Sequence, residues 1–317
     1  MRRLLLWCAR NPWLAAHVPR WRFARRAVRR FLPGEGFDAA LKAAADFKAQ
    51  GIGALFTLLG ENITDLEDAN RVVAHYEEVL AASTGLVAEV SVKPTQLGLD
   101  IDPVAAFANL ERLARAAATA KSFLWIDMEG SAYTERTIDL YRRLRSAHPQ
   151  VGIALQAYLH RTVGDVVDLM ALKPAIRLVK GAYAEPSTIA FAAKKEVDAN
   201  YLALCVLMLP EVKLRRLRLV LATHDTDMVA RAWRFAQALG MDLVRGEAAP
   251  SVTRCKAPRA PLPAGRGAYL CRERGRPAVP LGNRRHLARV LLRLARGAFT
   301  GLMRRILVGH ELARRGG

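Results

Sequence analysis

From about residue 51 onward, short runs of apolar residues alternate with longer segments in which apolar positions recur every three or four residues. Continuous apolar runs suit strands buried on both faces and a 3.6-residue period suits helices that cover them, so the alternation reads as repeated βα units. The pattern predicts strands at 52–59, 87–93, 122–128, 152–158, 175–181 and 218–224, followed by helices at 64–82, 103–120, 133–147, 164–172, 187–209 and 226–239. Thr64-Asp65-Leu66-Glu67 has the form of a capping box, and Leu66, Ala69, Val73, Tyr76 and Leu80 line one face of the helix it opens. Six such units require a parallel sheet covered on its outer face, either a barrel or a doubly wound sheet.

The polar residues choose between these two. Lys93, Asp127, Gln156, Arg177 with Lys180, and His224 fall at or near the C-terminal ends of five different predicted strands. In a barrel those ends converge on one mouth, where active sites of this architecture are built, whereas in an open sheet they spread along an edge. No Gly-x-Gly-x-x-Gly follows any strand, so the dinucleotide fingerprint of the doubly wound alternative is missing. Taken singly, each residue has a structural explanation. Lys93 would be a solvated loop lysine, Asp127 a helix cap or a partner for Arg177, Gln156 a partner for backbone groups, and His224 a histidine near a helix start. Their coincidence at successive strand ends is what points to function. Ala175-Ile176-Arg177-Leu178-Val179-Lys180 is the sharpest case, because two cations in an otherwise apolar strand need counter-charges or a bound polar group.

Composition changes this picture only at the chain's two ends. The formal charge of +20 would ordinarily suggest nucleic acid or an anionic membrane, but residues 1–31 carry nine arginines and no acids, and residues 241–317 hold seventeen basic against four acidic residues. The block between them is close to neutral, as in an ordinary enzyme domain, and nucleic acid has only net charge in its favour. Cys8, Cys205, Cys255 and Cys271 are too far apart for a zinc knuckle or a redox dithiol, so no metal and a reduced, cytoplasmic setting are expected. No apolar run approaches the roughly 20 residues that span a bilayer.

Seven segments occur in a recognisable order: Arg30-Phe31-Leu32-Pro33-Gly34-Glu35, Leu59-Gly60-Glu61, Ser91-Val92-Lys93-Pro94, Ile126-Asp127-Met128-Glu129, Leu155-Gln156-Ala157-Tyr158, Arg177-Leu178-Val179-Lys180-Gly181-Ala182-Tyr183 and Ala222-Thr223-His224-Asp225. On these motifs the chain resembles the proline dehydrogenase family, of the monofunctional bacterial type, across roughly residues 30–240. The resemblance implies a distorted (β/α)8 TIM-like barrel with preceding N-terminal helices, FAD as cofactor, oxidation of L-proline to Δ1-pyrroline-5-carboxylate as the first step of proline degradation, and a quinone as electron acceptor. It also implies catalytic positions at Asp127 and Arg177, a place beside the substrate for Lys93, and FAD contacts at Met128, Gln156, Arg177, Lys180, Gly181, Ala182, Thr223 and His224. Two rivals stand beside it: a Schiff-base aldolase-like barrel using Lys93 or Lys180, and a catalytically impaired flavin-binding relative.

The expected organisation is a basic helical arm over 1–45, the barrel over 46–242, and a divergent tail over 243–317 in place of the last barrel units, with strands seven and eight atypical or missing. The family clamps the substrate carboxylate with two arginines in a Tyr-x-x-Arg-Arg helix, and Arg304 and Arg305 are the match, with Gly301 where the tyrosine belongs. In the arm, arginines alternate with Leu4, Leu5, Trp7, Trp13, Trp21 and Phe23, which suits either helices packed on the barrel exterior or peripheral contact with an anionic membrane, on the inner face of the plasma membrane. The tail's loss of acids and gain of Arg, Pro, Ala and Gly is the composition of a GC-rich reading frame read out of register. Translating the neighbouring frames of the coding DNA beyond codon 242 should then reveal two further strands and a Tyr-x-x-Arg-Arg helix; three frames without them would discard the frameshift reading.

Overall fold

The computed structural model describes residues 37–58, 63–241 and 253–254. Helix α1 (Phe37–Lys48) leads into β1 (Ala54–Thr57), α2 (Leu66–Ala82), β2 (Ala88–Val92), α3 (Pro103–Thr119), β3 (Leu124–Ile126), α4 (Thr134–Arg145) and β4 (Val151–Gln156). There follow α5 (Thr162–Leu169), β5 (Ala175–Val179), α6 (Lys194–Lys213), β6 (Arg218–Ala222), α7 (Thr226–Ala238) and a two-residue β7 (Thr253–Arg254). The strands form one sheet in the order β1 to β7, and every neighbouring pair is parallel. Among the described residues no helix is long and apolar enough to cross a membrane.

Side-chain contacts across the sheet show that it is curled. Arg218, the first residue of β6, pairs with Glu89 on β2, four strands away. At about 4.8 Å per strand that separation is about 19 Å along a flat sheet, further than a glutamate and an arginine together span. The contact therefore requires the strands to wrap round a common axis, as in a barrel.

Wrapping divides the core in two. Val90, Val92, Leu124, Ile126, Ile153, Leu155, Ile176, Leu178, Leu219 and Leu221 belong to the large apolar cluster that includes helical residues such as Tyr76, Leu110, Tyr141 and Leu204, and into which α1 inserts Ala40 and Ala44. The opposite faces of the same strands make a second, small cluster of Trp125, Ala175 and Val220, flanked by Leu55 and Phe123. Because side chains alternate along a strand, the first set faces the helices and the second fills the interior. Interior space is tight around Trp125. Its indole Nε1 donates to Glu89 at 2.6 Å, and the Arg218 guanidinium lies 4.2 Å from the Phe123 ring centroid and 5.2 Å from that of Trp125.

The elements match the expected ones in order and type, and strand ends differ by two residues or fewer, with four differences in detail. The cap of α2 is Asp65, whose carboxylate accepts from the Asp68 amide at 2.7 Å, rather than Thr64. The helix expected from residue 187 begins at Lys194, because 187–193 instead folds back over β4's exit, with an antiparallel bridge between Leu159 and Ala190. That helix also runs through Pro210, whose carbonyl accepts from Leu214, because a proline surrenders one bond in a helix held by tertiary packing. The segment 247–279, in which no seventh strand was expected, contributes the short pairing of Thr253 and Arg254 with Val220 and Leu221. The basic arm before residue 37, the Leu59-Gly60-Glu61 motif, and Arg304 and Arg305 lie outside the described residues.

Gly152 on β4 supplies the room that Trp125 occupies: a Cβ there would lie 2.5 Å and 2.6 Å from the indole's six-membered ring and 2.9 Å from Phe123. Gly152→Ala is expected to destabilise the protein by about 1–3 kcal/mol through overpacking, read as a lower urea midpoint with an unchanged slope.

Candidate active site

The five strand ends do converge. Arg177, at the centre of β5, points inward and is 8% exposed. Its Nη2 contacts Asp127, the first residue past β3, and donates to the Ser91 hydroxyl on β2 at 2.9 Å. Ser91 in turn donates to Asp127 Oδ1 at 2.7 Å, so three strands contribute one corner each to a compact triangle. Asp127 is held from behind, since its amide donates to the Val92 carbonyl at 2.8 Å as the sheet pairing continues past β3. Burial pushes the Arg177 guanidinium down to about 10, with the Glu89 carboxylate pulling the other way, so it keeps its charge at neutral pH. Its Nε is buried and has no hydrogen-bond partner among the described residues.

Around this triangle the loops after successive strands are tied to one another. Lys93 follows β2 in extended conformation and opens a 3-10 turn at Pro94–Leu97. In that turn Thr95 donates through its hydroxyl to the buried Glu129 at 2.6 Å and through its amide at 3.2 Å. Gln156, the last residue of β4, donates through Nε2 to the Glu129 carbonyl at 2.8 Å. Met128, between Asp127 and Glu129, is buried. Farther round, Ser131 donates to Glu185 through its amide at 2.7 Å and its hydroxyl at 2.6 Å, joining the loop after β3 to the loop after β5.

Beyond β5, Gly181 takes φ +116°, and a Cβ there would collide with the Tyr158 ring, so both backbone freedom and the absence of a side chain are required. Tyr158 is anchored by backbone bonds to the Lys180 carbonyl at 2.9 Å and from the Phe191 amide at 2.8 Å. Ala182 is exposed at the mouth, Thr223 is buried just past β6, and His224 beside it is exposed.

The Lys180 amine lies between two carboxylates, 2.5 Å from Asp198 on α6 and 2.9 Å from Asp225, which caps α7 through the Met228 amide. Lys194 adds a second cation, contacting Asp198 and lying 3.7 Å from Asp225. The Lys180 hydrogen bond, aided by the Met228 amide, holds the Asp225 carboxyl down at about 2. Burial pushes Asp198 up, but the two lysines outweigh it and its net shift is downward. For Lys180 itself burial acts downward and the two carboxylates overcome it, so the amine is held in its charged form.

The sequence-predicted residues Lys93, Asp127, Met128, Gln156, Arg177, Lys180, Gly181, Ala182, Thr223 and His224 all lie at or just beyond the carboxyl ends of β2 to β6, apart from Arg177, which reaches the mouth through its side chain. Ser91, Glu129, Asp198 and Asp225 were not foreseen as parts of the site. For Ser91 a signal existed in the alternation of Glu89, Ser91 and Lys93, which puts three polar side chains on one face of β2.

Comparison with known proteins fits this geometry. The family described as proline dehydrogenase matches residues 40–248. The chain is 33% identical over 208 residues to proline dehydrogenase 2 of Bacillus subtilis, covering 65% of this chain and 67% of that protein. It is 33% identical over 251 residues to the proline dehydrogenase of Deinococcus radiodurans, covering 76% and 78%. Among solved structures, proline utilization A from Bdellovibrio bacteriovorus superposes with a TM-score of 0.63 at 22% identity. That likeness concerns the fold: it covers 69% of this chain, which spans 28% of the larger protein.

The ion-pair cluster at Lys180 generates a pH prediction. A carboxyl depressed in the folded state contributes stability above its ordinary range near 4, and that contribution is lost as pH falls through about 2. Lys180→Met is therefore expected to lower the unfolding free energy by about 1–2 kcal/mol at pH 5–7, after allowance for solvent screening, with the gap to the parent protein closing between pH 4 and pH 2. Urea titrations at stepped pH check this, and a gap constant with pH would rule the pairing out as its source.

Proposed function

Because this chain belongs to the proline dehydrogenase family, which makes it an oxidoreductase of proline catabolism, we propose that it oxidises L-proline to Δ1-pyrroline-5-carboxylate with FAD as the immediate acceptor and a quinone as the final one. The observation that carries this reading is the Ser91–Asp127–Arg177 triangle at the barrel mouth, with one guanidinium donor, Arg177 Nε, buried and unsatisfied among the described residues. A buried donor of this kind costs about 1–3 kcal/mol unless a ligand atom accepts from it. A nitrogen or carbonyl of a planar heterocycle fits that role.

The residues available for FAD are Met128, Gln156, Arg177, Lys180, Gly181, Ala182, Thr223 and His224. Gln156 has a second amide N–H beyond the one given to Glu129, and Thr223 brings a hydroxyl. Lys180 contributes by holding the Asp225 cap beside Thr223 and His224, since its amine is engaged by two carboxylates. FAD, when bound, would supply the acceptor for the hydride, which carries both electrons of the oxidation.

The chain's own groups supply orientation and charge. Hydride leaves the carbon next to proline's ring nitrogen, that nitrogen gives up its proton, and a carbon–nitrogen double bond replaces the single one. Arg177 places positive charge where negative charge accumulates during the transfer, and Asp127 keeps the guanidinium aimed there. Lys93 follows β2 at the same mouth and is a candidate cation for the substrate carboxylate, with Arg304 and Arg305 proposed as its bidentate clamp. The basic arm would bring the enzyme to a membrane surface where a lipid-soluble acceptor is met. A Schiff base at Lys180 would need a neutral amine, and Lys180 is the opposite, held charged between carboxylates.

One experiment tests the proposal. The purified protein should be yellow with FAD, and L-proline added without oxygen should bleach it. Arg177→Met and Asp127→Asn should slow the bleaching by about 100-fold or more. A protein that takes up FAD but is not bleached would point to the catalytically impaired relative, and one that takes up no FAD would remove the proposal altogether.

A further inference from the structure

Ser91 carries none of the roles assigned above, yet it touches both groups on which the proposed chemistry turns. The residue is 1% exposed, and its Oγ lies 2.7 Å from Asp127 Oδ1 and 2.9 Å from Arg177 Nη2. The guanidinium can only donate and the ionised carboxylate can only accept, so the hydroxyl must accept from the first and donate to the second. Among neutral side chains of this size only threonine does both as strongly through one atom, the cysteine sulfur being weak as donor and as acceptor. Its backbone is fixed as well. The Ser91 carbonyl accepts from the Tyr76 hydroxyl at 2.7 Å, and that hydroxyl accepts from the Leu58 amide at 2.8 Å, so α2 and the end of β1 hold β2 at this residue.

A direct contact alone leaves two charged side chains from β3 and β5 free to turn about the line that joins them. A third point on β2 removes that freedom and sets both the carboxylate rotamer and the plane of the guanidinium, including the direction of the unsatisfied Nε. We propose that Ser91 is a positioning residue for this site: it acts through Asp127 and Arg177, without meeting substrate or cofactor. The proposal rests on the reading of Asp127 and Arg177 as the reacting pair.

Ser91→Ala, Asp127→Asn and the double variant form the test, each compared with the parent protein as purified with FAD. In Ser91→Ala, which removes both hydrogen bonds to charged groups, kcat for L-proline should fall about tenfold or more, while KM changes less than about threefold. The flavin midpoint potential should move to more negative values, because a misaligned Arg177 stabilises the reduced form less. The double variant should be no worse than Asp127→Asn alone, in both the potential and the unfolding midpoint, since groups acting as one unit are not additive. Additive losses, or an unchanged potential in folded Ser91→Ala, would overturn the proposal. Should Ser91→Ala fail to fold, Tyr76→Phe releases Ser91 from the far side, and the same pattern at about threefold amplitude is expected, its absence being equally decisive. The potential and the unfolding cycle need no turnover, so a protein that proline does not bleach would defeat the functional proposal while those two measurements still decide the role of Ser91.

Discussion

Burying the Arg177 guanidinium at the centre of a strand is the constraint around which the barrel interior is arranged. An isolated charge there would cost several kcal/mol, and the surrounding strands answer with a carboxylate from β3 and a hydroxyl from β2. Both partners must be reached across intervening strands, which ties the local electrostatics to the curl of the whole sheet. Small residues make this possible: Ala154 is the register neighbour of Arg177 on β4, and Gly152 below it makes way for Trp125. Deeper in the barrel Glu89 and Arg218 repeat the solution with a second cross-sheet pair, and the Trp125 ring separates the two levels, 5.7 Å from the Arg177 guanidinium.

The two faces of each strand thus do different work. Outward side chains form an apolar layer with the helices, where almost any well-packed set of residues of the right volume would serve. Inward side chains form a narrow column in which charge, shape and hydrogen bonding constrain one another, with Arg177 Nε left over among the described residues at its upper end. The rim continues the same logic, since Glu129 ties the loop after β3 to Thr95 after β2 and to Gln156 at the end of β4, and Ser131 ties that loop to Glu185 after β5. A side chain at the mouth is therefore placed by a strand beneath it and by neighbours on both sides.

Much of this was legible from periodicity, because helices and buried strands in a repeated βα chain differ strongly in their apolar spacing. Legible too were the polar residues at strand ends, which stand out against apolar runs. What escaped were relations between distant residues. Glu89 and Arg218 are individually ordinary, and only the curl makes them partners. Asp198 lies in a helix at a position that reads as solvent-facing, and Lys180 turns it into a counter-ion. The loop 187–193 carries apolar residues at nearly helical spacing, but their partners are Tyr158 and Leu159 across the chain rather than the next helical turn. Local pattern competes with tertiary contact at such places, and tertiary contact wins.

The Glu89–Arg218 pair has a consequence for the order of folding. Its members are 129 residues apart in sequence, and Arg177 is 86 residues from Ser91. Closing such loops is entropically costly before the contacts that reward it exist, so the inner column belongs to the late stages of assembly. On the ribosome, β2 leaves the exit tunnel with its glutamate and serine facing no partners, and it waits while four more strands are synthesised. Helices and outward faces can associate meanwhile, and Arg177 reaches Ser91 and Asp127 once β5 is made, but Glu89 lacks its cation until β6 arrives. A nascent chain stalled before that strand would expose an uncovered edge of β5 and a carboxylate on β2 without its cation, the surface most in need of a chaperone.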